Sequence, residues 1–204
     1  MSDARLRDLG RRAARGGPED QAAHLRERVK AGEVTREGVR LAAHLGDPVA
    51  RLAMGWTHGI GDMHPLDSWL TGLGRYPGAL ERAAVAVGRA VLGAHNATCL
   101  EHGGDRCPES CWQWSRALEA VEAWIADPTE GATRRVDEAT LALVRAGSPW
   151  IAFAALVRAL CGLGRQPRPV PALGGKFWRQ SGLTEPQVRD VVRSALVPWA
   201  LGVL

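Results

Sequence analysis

The densest set of chemistry-bearing side chains lies in CLEHGGDRCPESC, residues 99–111. There Cys99, His102, Cys107 and Cys111 follow a C-x2-H-x4-C-x3-C spacing, with His95 one helical turn earlier. Thiolate and imidazole are ligand types that suit tetrahedral Zn²⁺, and Gly103-Gly104 supplies a tight turn between them. Four protein ligands would close the metal's shell and leave no position for substrate, so zinc here would be structural. Two other states fit the same residues: a disulfide joining Cys99 to Cys107 or Cys111, and thiols without a role on an interhelical loop. The spacing resembles a zinc knuckle with two ligand types exchanged, and it matches no metal motif closely. The fourth cysteine, Cys161, falls in an apolar helical run and is expected as a packed core residue.

The second candidate surface is aromatic and basic. Tryptophan is over-used: eight residues, against two Phe and one Tyr. Trp56, Trp114, Trp150 and Trp199 fall on apolar helical faces and are expected to pack internally. Trp112, beside the cysteine segment, and Trp178 have no such face, and large aromatic side chains in that position are favoured binding anchors. Trp178 sits in GLGRQPRPVPALGGKFWRQSG, residues 162–182, with Arg165, Arg168, Lys176, Phe177 and Arg179. Connections this long are usually functional or disordered, and the prolines at 167, 169 and 171 favour an extended backbone. The prolines do not form PxxP. The competing reading is a rigid spacer packed over the helices.

No constellation points to catalysis. His58, Asp62 and His64 in THGIGDMHP suggest a turn-rich loop before a metal or acid–base cluster. Glu119 and Glu122 fall on the polar side of an amphipathic helix, where carboxylates serve solubility. His24 and His44 stand alone on helices. The chain carries no G-x-S-x-G, Walker loop, G-x-G-x-x-G or H-E-x-x-H. The expectation is a protein that is not an enzyme.

The elements that must position these residues are helices. Apolar residues recur at helical spacing almost throughout, and no run alternates with period two. Pro18-Glu19-Asp20 opens a helix that stops at Gly32; Thr35 caps the next, closed by Gly46; Asp47-Pro48 begins a fourth. The Gly-Asp-Pro corner recurs as Gly147-Ser148-Pro149, which suggests antiparallel helix pairs of a HEAT-like kind. Residues 77–95 place Leu80, Ala84, Val87 and Val91 on one stripe. Residues 110–126 place Trp114, Ala117, Leu118, Val121 and Ile125 together, opposite Arg116, Glu119 and Glu122. A helix after Pro128-Thr129 carries Val136, Ala139, Leu143 and Val144. Residues 149–161 are apolar all round except Arg158, as expected of the most buried helix. Thr184-Glu185-Pro186 opens a last helix with Val188, Val191, Val192, Ala195 and Trp199 on one side.

The fold class is therefore all-α: about nine helices packed as antiparallel pairs, HEAT-like or as an irregular bundle. One domain over 1–204 is expected. Within it residues 1–60 form N-terminal helix pairs, and 61–204 form the main core with irregular loops at 96–110 and 162–182.

Net charge is +4, distributed as +2 over residues 1–50, −3 over 51–150 and +5 over 151–204. A basic end favours acidic partners by long-range attraction. Nucleic-acid binding usually needs a denser stripe of Lys and Arg, so a protein partner is the first expectation and nucleic acid the lesser one. The N-terminal MSDARLRDLGRRAARGG lacks the apolar region of a signal peptide, and the longest apolar run, Trp150–Val157, is far short of the ~20 residues a membrane span needs. No membrane association and a cytoplasmic location are expected.

Three stretches carry a resemblance: LAAHLGDPVARLAMGW, GGDRCPESCWQWSRALEAVEAWIADPTE and VVRSALVPWALG. Over about half the chain they resemble Ala/Arg-rich helical bacterial proteins, some of them similar to immunity proteins of polymorphic-toxin systems. The chain departs from that pattern where its cysteines occupy what would otherwise be a plain charged loop. The resemblance implies an all-helical protein with no catalytic residues, acting as an immunity or regulatory factor by binding another protein. The alternatives are a zinc-stabilised module organised by Cys99, His102, Cys107 and Cys111, and a basic helical nucleic-acid binder.

Overall fold

Helix starts and stops follow from side chains that satisfy the amide and carbonyl groups each helix leaves open at its ends. The Gly38 amide donates to Thr35 Oγ1 at 3.0 Å, and the Ala50 amide to Asp47 Oδ1 at 2.7 Å, just before the helices at 36 and 48. Gly32, Gly46 and Gly55 close three helices in the left-handed conformation that favours glycine. Gln187 Oε1 accepts from both the Thr184 amide and hydroxyl, a capping arrangement at the last helix.

The computed structural model describes residues 3–56, 64–101, 109–145, 151–163, 178–179 and 181–203. Among them are ten helices: α1 (Asp3–Ala13), α2 (Pro18–Ala31), α3 (Arg36–Leu45), α4 (Pro48–Met54), α5 (Leu66–Leu73), α6 (Ala79–Glu101), α7 (Glu109–Ala126), α8 (Glu130–Arg145), α9 (Ile151–Leu160) and α10 (Glu185–Ala200). The fold is all-α, and no strand occurs among the described residues. The chain divides into two compact units, residues 1–65 with 193–204, and residues 66–192.

In the first unit α1 packs on α2, and both α2 and α3 pack on α4. Its core is Leu25, Val39, Leu41, Leu45 and small residues such as Ala22, Ala42 and Ala50, with Leu196 from the end of α10. Gly38 lies so close to the Ala200 carbonyl oxygen that no side chain fits there. Glu27 is buried and paired with Lys30 at 2.8 Å and Arg5 at 3.7 Å.

In the second unit α6 packs on α7, α7 on α8, α8 on α9, and α9 back on α6. That closed ring is a bundle. Its centre holds Trp114 stacked on Phe153, with ring centroids 5.0 Å apart and planes 16° apart. Gly88 makes room for Leu118 and Phe153: a Cβ there would lie 2.7 Å from Leu118 Cδ2 and 3.2 Å from Phe153 Cε2.

The structure differs from the sequence expectation at several points. The tenth helix is α5, whose Leu66, Trp69 and Leu73 are all buried. Helix α6 continues past 95 to Glu101, and α7 begins at Glu109, so both ends of the expected loop at 96–110 are helical. No Gly or Pro stands between Gly93 and Gly103 to stop α6 earlier. In α8 the buried register is Ala132, Val136, Thr140 and Leu143; Ala139 is half-buried and Val144 is exposed. The Thr140 hydroxyl makes this possible by donating to the Val136 carbonyl at 2.7 Å, so its polar atom is satisfied inside the core. Arg158, the one charge on α9, pairs with Asp137 and reaches the Leu163 carbonyl at 3.4 Å. The Gly147-Ser148-Pro149 corner and Trp150 lie outside the described residues.

Candidate functional site

Between α7 and α8 runs an open groove of about 480 Å³. The amphipathic pattern of both helices dictates it. With Trp114, Leu118 and Val121 turned into the core from α7, and Val136, Thr140 and Leu143 from α8, small residues fall on the outer edges. Ala120 and Ala123 of α7 and Ala139 and Ala142 of α8 form the groove floor. The walls are charged in both signs: Arg116 and Glu119 on one side, Arg135 and Glu138 on the other. At the hairpin, Trp124 Nε1 donates to Thr133 Oγ1 at 3.1 Å, and the Ala132 amide donates to Thr129 Oγ1 at 3.2 Å. On its far side α7 is tied to α6 by Arg89, which grips both oxygens of Glu122 at 2.9 and 2.6 Å. Glu122 holds the Arg89 guanidinium above its usual pKa.

Trp112 stands in the groove wall, 60% exposed. The Arg116 guanidinium lies over its ring at 4.7 Å, one helical turn along α7. That stacking presents the indole and a cation as one rigid surface.

Trp178 and Arg179 are positioned differently. The Trp178 indole donates to Asp67 Oδ1 at 2.8 Å and Arg179 Nη2 to Asp67 Oδ2 at 2.5 Å, so one α5 carboxylate holds both. The Trp178 hydrogen bond, with Arg179 beside it, lowers the Asp67 pKa. Trp178 is half-buried, Arg179 exposed. Arg165, Arg168, Lys176 and Phe177 lie outside the described residues.

Of the cysteine–histidine set, Cys111 is buried in the first turns of α7. Cys99 belongs to the last turn of α6, although its side chain lies outside what is described, as do His102 and Cys107 altogether. No group of three or more His, Cys, Asp or Glu placed to hold a metal occurs among the described residues. Cys161 is half-buried, and burial, reinforced by the charge of Glu81, pushes its thiol up to about 12. His64 is exposed, and its companions His58 and Asp62 lie outside the described residues. No described helix is long and apolar enough to cross a membrane.

Trp112 stands out in the sequence, whereas the groove that holds it does not. The signal was present: alanines at i and i+3 flank the core stripe on both helices, at 120/123 and 139/142. The Asp67–Trp178 pair carries no sequence signal, because 111 residues separate its members.

The chain matches no family model, no curated protein and no solved structure.

Proposed function

We propose that the protein is a non-catalytic interaction module, an immunity or regulatory factor in the sense of the sequence resemblance, which seats a partner protein in the α7–α8 groove. The observation that carries this reading is Trp112, which keeps 60% of its surface open while Arg116 fixes its ring at the edge of an alanine-floored groove. An aromatic residue beside a concavity, flanked by Arg, is the composition favoured in binding hot spots. Small floor residues let a partner's backbone approach closely, and walls of both signs, Arg116 and Arg135 against Glu119 and Glu138, set its register.

The described titratable groups support a structural rather than a chemical use. Glu27 and Asp67 are shifted toward the ionised form by the cations and donors that hold them, and the Cys161 thiol is shifted away from the thiolate. The reading is tested by comparing wild-type protein with Trp112→Ala in affinity capture from the native host. A partner recovered with wild type and reduced at least tenfold with the variant, at unchanged thermal stability, supports it. Equal recovery removes the groove from the account.

A further inference from the structure

The first unit carries a second concavity of different chemistry. A groove of about 370 Å³ is lined by Arg26, Val29 and Lys30 of α2, Arg36 and Val39 of α3, and Ala53 and Met54 of α4. Its apolar lining is Val29, Val39, Ala53 and Met54, and its only charged lining residues are three cations. Helical spacing produces this: Arg26, Val29 and Lys30 stand at i, i+3 and i+4, so α2 presents a valine between two cations.

The rim is held in place. Arg26 donates from Nε to the Ala53 carbonyl at 3.2 Å and from Nη2 to the Leu52 carbonyl at 3.1 Å. It thereby covers the electronegative C-terminal carbonyls of α4 with positive charge. Lys30 is anchored by Glu27, whose carboxylate is buried, yet 63% of the Lys30 side chain is open. Arg36 is exposed in the first turn of α3. Met54 is half-buried and unbranched, a side chain that adapts to differently shaped apolar groups.

A ligand for this groove must be apolar beneath, anionic along its flanks and tolerant of water on its back, because the groove is open. An isolated fatty acid meets only part of that, since small-molecule sites typically bury about 70–90% of their ligand. An amphipathic helix meets all of it. We infer that the α2–α3–α4 groove docks an acidic amphipathic helix of a partner protein, its apolar face on Val29, Ala53 and Met54 and its carboxylates on Lys30 and Arg36. This surface belongs to a different unit from Trp112 and stands or falls separately from the α7–α8 reading.

The test uses the full-length protein with ¹³C-methyl methionine. The chain has three methionines, Met1, Met54 and Met63, so the Met54 signal is assigned by one substitution. The probe is a 16-residue synthetic helix with Leu along one face and Glu on its flanks, with a twin in which every Glu is Lys. A saturable shift of Met54 with the Glu peptide is expected, no saturable shift with the Lys twin, and a Kd raised about 5–10-fold by Arg36→Glu. The inference is overturned by an unmoved Met54 signal at millimolar Glu peptide, by equal response to the twin, or by an unchanged Kd in Arg36→Glu. A Met54 shift with dodecanoate but not with the peptide also overturns it, in favour of a lipid site. Far-UV circular dichroism of Arg36→Glu confirms that the variant is folded; if it is not, Lys30→Gln replaces it with the same expected direction.

Discussion

The Trp178 indole donates to Asp67 Oδ1 at 2.8 Å while Arg179 takes the other carboxylate oxygen. Two residues whose types suggested a partner surface thus spend their polar atoms inside their own unit. Because both donors favour ionised Asp67, its folded pKa lies below the ordinary ~3.9 of the unfolded chain. Their contribution to stability is therefore complete above about pH 5 and lost as pH falls below ~4 toward the folded value. The Asp67 side chain is 43% exposed, so solvent screens the pair, and Asp67→Ala should cost only about 1 kcal/mol or less at pH 7. In ¹⁵N-Trp spectra at pH 7 the Trp178 indole peak should differ from its position in Asp67→Ala, and acid should move it toward that position only below the ordinary Asp range. A Trp178 indole peak that is the same at pH 7 in wild type and Asp67→Ala would show that the pair does not form.

The centre of the bundle depends on Gly88. Replacing it by Ala improves helix propensity by roughly 1 kcal/mol, but the new methyl meets Leu118 and Phe153, both fully buried. Overpacking costs about 1–3 kcal/mol, so Gly88→Ala should be net destabilising by about 1 kcal/mol and Gly88→Leu by considerably more. Adding Leu118→Ala to Gly88→Ala should cost less than the sum of the two single changes, measured by urea denaturation.

In the first unit Gly38 faces the Ala200 carbonyl oxygen, and a backbone atom cannot rotate aside. Gly38→Ala should therefore lower stability by about 2 kcal/mol despite the better helix propensity of Ala. A melting temperature equal to wild type would mean that the end of α10 is not seated on α3.

Much of this was legible in the sequence, and the rest was not, for identifiable reasons. Caps at Thr35, Asp47 and Thr184 are local chemistry between residues three apart, and they set the helix starts where the sequence places them. The core stripe of α7 is equally local, since one helix face is read from spacing alone. Helix α5 escaped although Leu66, Trp69, Leu70 and Leu73 keep helical spacing, because eight residues are too short a run to stand out beside a turn-rich segment. The buried position of Thr140 was hidden because its polarity is cancelled by a bond to its own helix. The groove around Trp112 needed two helices at once, and neither helix announces its neighbour.

The remaining thiol prediction is chemical. With its pKa pushed up to about 12, Cys161 at pH 8 holds roughly a thousandfold less thiolate than an ordinary cysteine. Because a higher-pKa thiolate is also more nucleophilic, iodoacetamide should modify it at least about tenfold more slowly in the folded protein than in denaturant, followed by peptide mapping. Comparable rates in the two states would place Cys161 at the surface.

The central claim is that the α7–α8 groove seats a partner protein, and site-specific photo-crosslinking in the native host tests it most directly. A photoreactive amino acid is placed at position 138 in the groove wall, and at position 11 on α1 as a control. The account predicts one discrete protein adduct from position 138, none from position 11, and loss of the adduct when Trp112→Ala is added. An adduct that persists in the Trp112→Ala background, or no protein adduct from the groove, would contradict it.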